Sequence, residues 1–172
     1  MNGNIFSPEY MLSNAIALLL LGIAFLRPFT AKVILSVIFV AAAIVNGITA
    51  IYHPQAYLYY ADVAALPVYE RFILGYFSTH TTLIVFSIAF LQLAAGVFMT
   101  RRGLTGTMAL AGSATFLLAI APLGAGSAFP CSVLLAVSCI VLIFAKEQNK
   151  LSLVSKIKNR QAFSVKHIRQ YH

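Results

Sequence analysis

The sequence predicts an all-α integral membrane protein with five transmembrane helices. Three observations predict this class. Hydrophobic residues make up 60% of the 172 residues and charged residues only 9%, against about 25% charged residues in an average soluble domain. The apolar residues fall into five long segments separated by short connections. Eleven of the twelve Lys and Arg residues lie in alternate connections or in the C-terminal tail.

Segment length gives the number of crossings, because a helix needs about 20 apolar residues to cross a hydrocarbon core of about 30 Å. The first segment lacks the basic start and the cleavage pattern of a signal peptide, so we expect a permanent helix. Residues 1–145 are predicted to form a single transmembrane domain, followed by a basic tail at 146–172. The predicted crossings, of which the last is the shortest, lie at about 10–26, 32–52, 79–100, 104–121 and 128–145.

Proline, glycine and arginine mark the connections. A residue before proline is disfavoured in helix, so RPFTAK at 27–32 is predicted to be a tight turn. TRRG at 100–103 and PLGAGSAFP at 122–130 are predicted to be two further turns. The longest connection, residues 53–78, contains two amphipathic pieces and five tyrosines, which suit a membrane interface. We call it the connector and expect it to lie on the membrane surface or to cap the bundle.

The charge distribution predicts the orientation. With five crossings, the two arginine-containing turns and the tail share one side, which the positive-inside rule makes cytoplasmic. The opposite side holds three acids against Arg71 alone. We therefore predict an external N-terminus, an external connector and a cytoplasmic C-terminus. The tail supplies six of the eight net positive charges, a placement that favours the lipid bilayer, and not nucleic acid, as partner.

The connector carries three charged side chains, Asp62, Glu70 and Arg71, with Tyr69 beside them. One interpretation is a polar site over the mouth of the bundle, where carboxylates and phenols bind a quinone head group or another polar substrate. The alternative is a solvated helix face, on which exposed ion pairs contribute about 0–1 kcal/mol. The sequence favours the alternative.

Two histidines, His53 and His80, flank the connector and could hold a metal or a haem if they met. Both lie near the ends of apolar segments and not deep inside them, where a membrane haem usually has its ligands, so an interfacial position is favoured. The chain has no Cys/His cluster with zinc spacing. No metal site is predicted, and a quinone is the one cofactor that the connector suggests.

Two amides, Asn46 and Gln92, lie inside apolar segments, where a polar group must find a partner. At 1.5 Å per residue they lie about 10 Å and about 18 Å from the outer ends of their helices, so direct contact requires an offset between the helices. We expect an interhelical hydrogen bond, typically worth about 0.6 kcal/mol and up to about 2 kcal/mol, in preference to a substrate contact.

No common catalytic motif is present. Cys131 and Cys139 lie eight residues apart, about 12 Å along a helix, which is too far for a disulfide. The chain has no C-x-x-C, no glycine-rich phosphate loop and no H-E-x-x-H. The sequence therefore favours a protein without a catalytic centre, although it does not decide the point.

Three stretches, NGITAIYHP, FLQLAAGVFMTRRG and APLGAGSAFP, resemble the DoxX-like family of small bacterial membrane proteins. The resemblance covers about residues 32–145 and implies a four-helix bundle with one additional N-terminal helix. Gly47 and Pro54 match a family glycine and proline, whereas Gln92 stands where relatives often have an acid before the position of Gly96. The resemblance implies a bacterial inner membrane and an association with membrane redox complexes. If that acid handles protons in relatives, this chain is not expected to do so in the same manner.

Three functions follow from these features. The first is a non-catalytic accessory or assembly partner of a membrane redox or envelope system, with other membrane proteins or further copies of itself as partners. The second is a quinone-linked oxidoreductase subunit with a site under the connector. The third is a small carrier or lipid-binding bundle.

Overall fold

The computed structural model describes residues 6–124 and 128–145, and the regular elements there are helical. A 3-10 helix at Pro54–Tyr59 and a π-helical turn at Ile73–Phe77 belong to the connector, and a second 3-10 helix, Ala121–Leu123, follows the sixth helix. The α-helices are α1 Pro8–Leu26, α2 Pro28–Tyr52, α3 Tyr60–Val63, α4 Pro67–Phe72, α5 Ser78–Met99, α6 Leu104–Ile120 and α7 Cys131–Ala145.

Four of these helices are long and apolar enough to cross a membrane: α1, α2, α6 and the continuous helical stretch that ends with α5. The shorter apolar helix α7 coincides with the fifth predicted crossing. The predicted turn over 27–32 is wrong, because α2 begins at Pro28 and Arg27 alone interrupts the helices. Proline suits a first helical position, where no N–H donor is needed, and it restricts only the residue before it. The predicted tail, 146–172, lies outside the described residues.

Helices α2 and α5 form a close antiparallel pair. The Ser36 hydroxyl donates to the Gly96 carbonyl at 2.5 Å, and the Thr82 hydroxyl donates to the Ala50 carbonyl at 3.2 Å. A Cβ atom at Gly96 would lie 2.8 Å from a methyl group of Val40 and 3.0 Å from the Ser36 carbonyl oxygen. Glycine therefore permits this close approach. Since the start of α2 lies beside the end of α5, the junction at Arg27 and the α5–α6 turn occupy one end of the bundle.

The main apolar core joins α1, α2, α6 and α7, together with Met99 at the end of α5. Leu20, Leu35, Leu110 and Leu142 are almost fully buried in it. Outside this core the helices expose many large apolar side chains, such as Leu19, which is 68% exposed. An exposed apolar surface of this kind is expected where lipid tails are the solvent.

The connector packs over the other end of the bundle. A second, smaller core joins it to α2 and α5 through Ala50, Ala61, Ile73, Phe77 and Val85. The Tyr69 hydroxyl donates to the Ala119 carbonyl near the end of α6 at 2.7 Å. The Ala65 amide donates to the Pro122 carbonyl in the 3-10 helix that follows α6 at 2.9 Å. The connector therefore covers this end of the helix bundle as a cap.

Candidate functional site

Three polar side chains form a network inside the bundle, close to the cap. The amide nitrogen of Asn46 donates to the Gln92 amide oxygen at 2.8 Å, across the α2–α5 contact. The Tyr57 hydroxyl reaches down from the connector and donates to the Asn46 amide oxygen at 2.9 Å. Asn46 thus links the two helices and the cap. The expected interhelical hydrogen bond is present, and its third member is a connector tyrosine.

The direction of the side chains explains how the two amides meet. The contacts that place Ser36 beside Gly96 and Ala50 near Thr82 set Asn46 level with about residue 86 of α5, so Gln92 lies roughly 9 Å deeper. Side chains on a helix lean toward its N-terminus. In an antiparallel pair the two amides therefore lean toward each other, and their combined length bridges the axial offset.

A cavity of about 410 Å³ lies between the connector and the helices. Its polar lining consists of the Asn46 amide and the phenols of Tyr57, Tyr60 and Tyr69. The rest of its wall is apolar and aromatic, from the connector, α5 and α6, with Phe77, Ile88, Phe116 and Ile120 among the lining residues. We call it the connector cavity. Its volume and its few convergent polar groups are typical of a small-molecule pocket.

The phenols of the connector cavity differ in their hydrogen bonds. Tyr57 and Tyr69 donate to protein oxygens, whereas the Tyr60 hydroxyl has no hydrogen-bond partner among residues 6–124 and 128–145. Burial raises the pKa of Tyr60 above its ordinary value. Burial also raises the pKa of Tyr57, against a hydrogen bond with Thr49 that lowers it, and with a contribution from neighbouring Tyr60 that raises it. Both phenols are therefore protonated donors at neutral pH.

Of the residues singled out in the sequence, Asn46 and Tyr69 line the connector cavity. Gln92 does not line it, but its side-chain oxygen accepts the hydrogen bond from the Asn46 amide. The charged residues of the connector lie elsewhere. Asp62, Glu70 and Arg71 are exposed and do not line the cavity, and the Arg71 guanidinium donates to the Pro67 carbonyl at 3.4 Å. Asp62 lies on α3 between the buried residues Ala61 and Val63, and it points to the opposite side of that turn. Glu70 and Arg71 lie on α4, which has no buried residue.

The two histidines lie at the surface. His53 is exposed at the end of α2, where its amide donates to the Thr49 carbonyl at 2.8 Å. His80 is exposed and stacks on the Tyr76 ring at 4.5 Å between centroids, and its Nδ1 lies 2.8 Å from the Thr79 hydroxyl. Within the described ranges no three His, Cys, Asp or Glu side chains are grouped to hold a metal ion.

Sequence reasoning missed Tyr57 and Tyr60 as members of the site. They are three residues apart, a spacing that puts two side chains on one side of a helical turn. Tyr59, between them, is 59% exposed and points away. This spacing in an aromatic segment was the available signal, although it does not say which side of the turn faces the bundle.

No protein-family model, curated protein or solved structure matches this chain. The resemblance of residues 32–145 to the DoxX-like family therefore has no support beyond the three stretches that suggested it. The site has to be interpreted from its own geometry and chemistry.

Proposed function

We propose that this chain is a five-crossing protein of a bacterial inner membrane, with an external N-terminus and connector and a cytoplasmic C-terminal tail. The four long apolar helices, together with α7 as a fifth and shorter crossing, support this arrangement. The antiparallel packing of α2 and α5 supports it as well, because it gathers Arg27, Arg101 and Arg102 at the end opposite the connector. Single cysteines at Ser7 and Arg102 in a variant that lacks both native cysteines should react with an impermeant thiol reagent only from opposite sides.

Within this arrangement the connector cavity binds the head group of a neutral amphiphile of the quinone class, and the protein acts as a binding component of a redox or envelope system. The observation that carries this proposal is the cavity's composition: an apolar chamber of about 410 Å³ with one amide and three phenols as its polar groups. A quinone has an apolar ring and two carbonyl acceptors. The protonated Tyr60 hydroxyl supplies a donor that no protein group of the described chain uses.

The polar groups favour binding over catalysis. Proton transfer needs a group whose pKa lies near the working pH. The groups that line the connector cavity are amides and phenols, and burial moves the pKa of Tyr57 and Tyr60 upward, away from neutrality. The carboxylates and histidines of the described connector region lie outside the cavity. A carbonyl ligand would therefore be held and oriented, while electrons would come from a partner.

A titration with a short-chain quinone tests the proposal. The chain contains no tryptophan, so quenching of tyrosine fluorescence reports binding without interference from indole. Tyr60→Phe removes the free donor and keeps the ring, and the loss of one hydrogen bond of about 0.5–1.5 kcal/mol predicts a Kd raised roughly 2- to 13-fold. Tyr59→Phe is the matched control, since Tyr59 points away from the cavity, and its Kd should equal that of the wild type. Equal Kd values for all three proteins, or no saturable binding, would contradict the proposal.

A second role, as an assembly partner, is favoured by the outer surface of the connector. Leu66, Val68, Leu74 and Tyr76 are between 46% and 63% exposed there, next to the charged residues. A partner protein that covered this surface would shield apolar area. Crosslinkers placed at Val68 should then capture one defined protein in native membranes, whereas capture of lipid alone would indicate a membrane-surface segment.

A further inference from the structure

A second cavity, of about 530 Å³, opens between α5 and α6. Apolar side chains and small residues line most of it, with Gln92 as a larger polar member, and its length is marked by Phe98, Thr105, Gly112 and Phe116. A Cβ atom at Gly112 would meet nothing within 4 Å, so the glycine leaves open space in the wall. We call this cavity the α5–α6 groove. It lies on the flank of the bundle, where a membrane protein faces lipid.

The groove leads to a cationic pocket at the end of the bundle opposite the connector. This pocket is lined by Thr100, Arg101 and Arg102, and it shares Phe98 and Thr105 with the groove. Both arginines are exposed. The apolar channel and the cationic pocket are therefore continuous, an arrangement that matches an acyl chain joined to an anionic head group.

The length of the groove fits one leaflet. From Thr105 to Phe116 the groove follows eleven residues of α6, which at 1.5 Å per residue is roughly 16 Å. This is about half of the 30 Å hydrocarbon thickness of a bilayer. A chain that starts at the interface beside Arg101 and Arg102 would therefore end near the midplane.

We propose that the α5–α6 groove binds one acyl chain of an anionic phospholipid whose phosphate lies between Arg101 and Arg102. The site opens toward the leaflet opposite the connector, and its inner end meets the connector cavity at Ile88 and Phe116, which line both. Guanidinium groups bind phosphate through charge-assisted hydrogen bonds, with the Thr100 and Thr105 hydroxyls available as further donors. A zwitterionic lipid would fill the groove but would lack the net charge that the arginines attract.

The test measures binding of spin-labelled phosphatidylglycerol and phosphatidylcholine to the full-length protein in nanodiscs. At about a fivefold gain per basic residue near a membrane surface, replacing both arginines (Arg101→Gln with Arg102→Gln) should weaken phosphatidylglycerol binding roughly 30-fold. Arg27→Gln is the matched control, because Arg27 is exposed at the same end and lines neither cavity. It should change the affinity less than twofold.

A second pair of variants tests the groove without changing any charge. Gly112→Leu places a side chain in the open space of the groove and should reduce the bound fraction of both lipids at least severalfold. Gly22→Leu on α1 is its control, since a Cβ there also meets nothing within 4 Å, and it should leave lipid binding unchanged. The proposal is overturned if phosphatidylcholine binds as tightly as phosphatidylglycerol, if Arg27→Gln acts like the double variant, or if Gly112→Leu has no effect. Displacement of the lipid by inorganic phosphate alone would also overturn the proposal, because the acyl chain would then contribute nothing to the affinity.

Discussion

The hydrogen bond between Asn46 and Gln92 should appear as an energetic coupling between α2 and α5. Asn46→Leu replaces the amide with an apolar side chain of similar size, and it leaves the Gln92 amide oxygen and the Tyr57 hydroxyl without their partner. Leaving a buried polar group unpaired costs about 1–3 kcal/mol. Gln92→Leu leaves only Asn46 to find a new partner. In the double variant neither amide is present, so its loss of unfolding free energy should be smaller than the sum of the single losses.

The expected coupling is about 1 kcal/mol. Hydrogen bonds between membrane helices average about 0.6 kcal/mol and reach about 1.7 kcal/mol in double-mutant cycles, and the short distance of 2.8 Å places this one in the upper part of that range. Reversible unfolding in bicelles gives the four free energies of the cycle. A control cycle combines Asn46→Leu with Ser36→Ala, ten residues away along α2, where we expect additivity within about 0.3–0.5 kcal/mol.

A coupling between Asn46 and Gln92 no larger than that of the control cycle would refute the bond and the α2–α5 register behind it. Loss of Tyr57 should give a second, independent sign of the same network. Tyr57→Phe removes the hydroxyl that bonds to Asn46, so its effect should shrink when it is introduced into the Asn46→Leu background.

Three further predictions concern packing, buried polar groups and pH. Gly96→Ala should lower the unfolding free energy by about 1–3 kcal/mol, because the added methyl group meets the Ser36 carbonyl and Val40. Gly47→Ala, measured by the same unfolding assay, should be neutral or slightly stabilising, because a methyl group there meets open space. Ser113→Ala should raise the unfolding free energy by about 1 kcal/mol, because the Ser113 hydroxyl is buried without a partner in the described chain. Ser138→Ala should not raise it, because it loses a 2.9 Å hydrogen bond to the Leu134 carbonyl. Equal changes in melting temperature for the two variants would contradict this prediction. The raised pKa of Tyr60 means that the folded state holds the phenol proton more tightly than the unfolded chain does. The contribution of Tyr60 to stability is therefore complete below about pH 10 and is lost as the pH rises through the folded pKa. Tyr60→Phe should flatten that loss of stability in alkaline unfolding curves, and an unchanged slope would contradict the burial of this phenol.

The positions of the long helices could be predicted from the sequence because apolar length and proline positions are local properties. The bounds of α5, predicted as 79–100 and found as Ser78–Met99, agree within one residue at each end. The sequence prediction places the start of α2 four residues late, because it assigns Pro28 to a turn although this proline is the first residue of the helix.

The connector cavity could be predicted only in part, because its walls depend on tertiary contacts. The polarity of Asn46 and Gln92 within apolar segments identified two members of the network without any knowledge of the fold. Their contact depends on the register of α2 against α5 and on opposed side-chain directions, which the sequence does not contain. Tyr57 and Tyr60 face the bundle while Asp62 and Glu70 face outward, and that choice is made by how the connector packs on α2, α5 and α6.

Photoaffinity labelling with a quinone that carries a photoreactive ring tests the central claim most directly. After illumination of the wild-type protein in nanodiscs, peptide mass spectrometry should locate the label on residues that line the connector cavity, such as Tyr60, Phe77 or Ile120. An excess of unlabelled quinone should abolish that labelling. Labels spread along the exposed apolar faces of α1 and α2, and unaffected by competition, would contradict the account, because they would mean that the quinone partitions into lipid and that the cavity beneath the connector holds none.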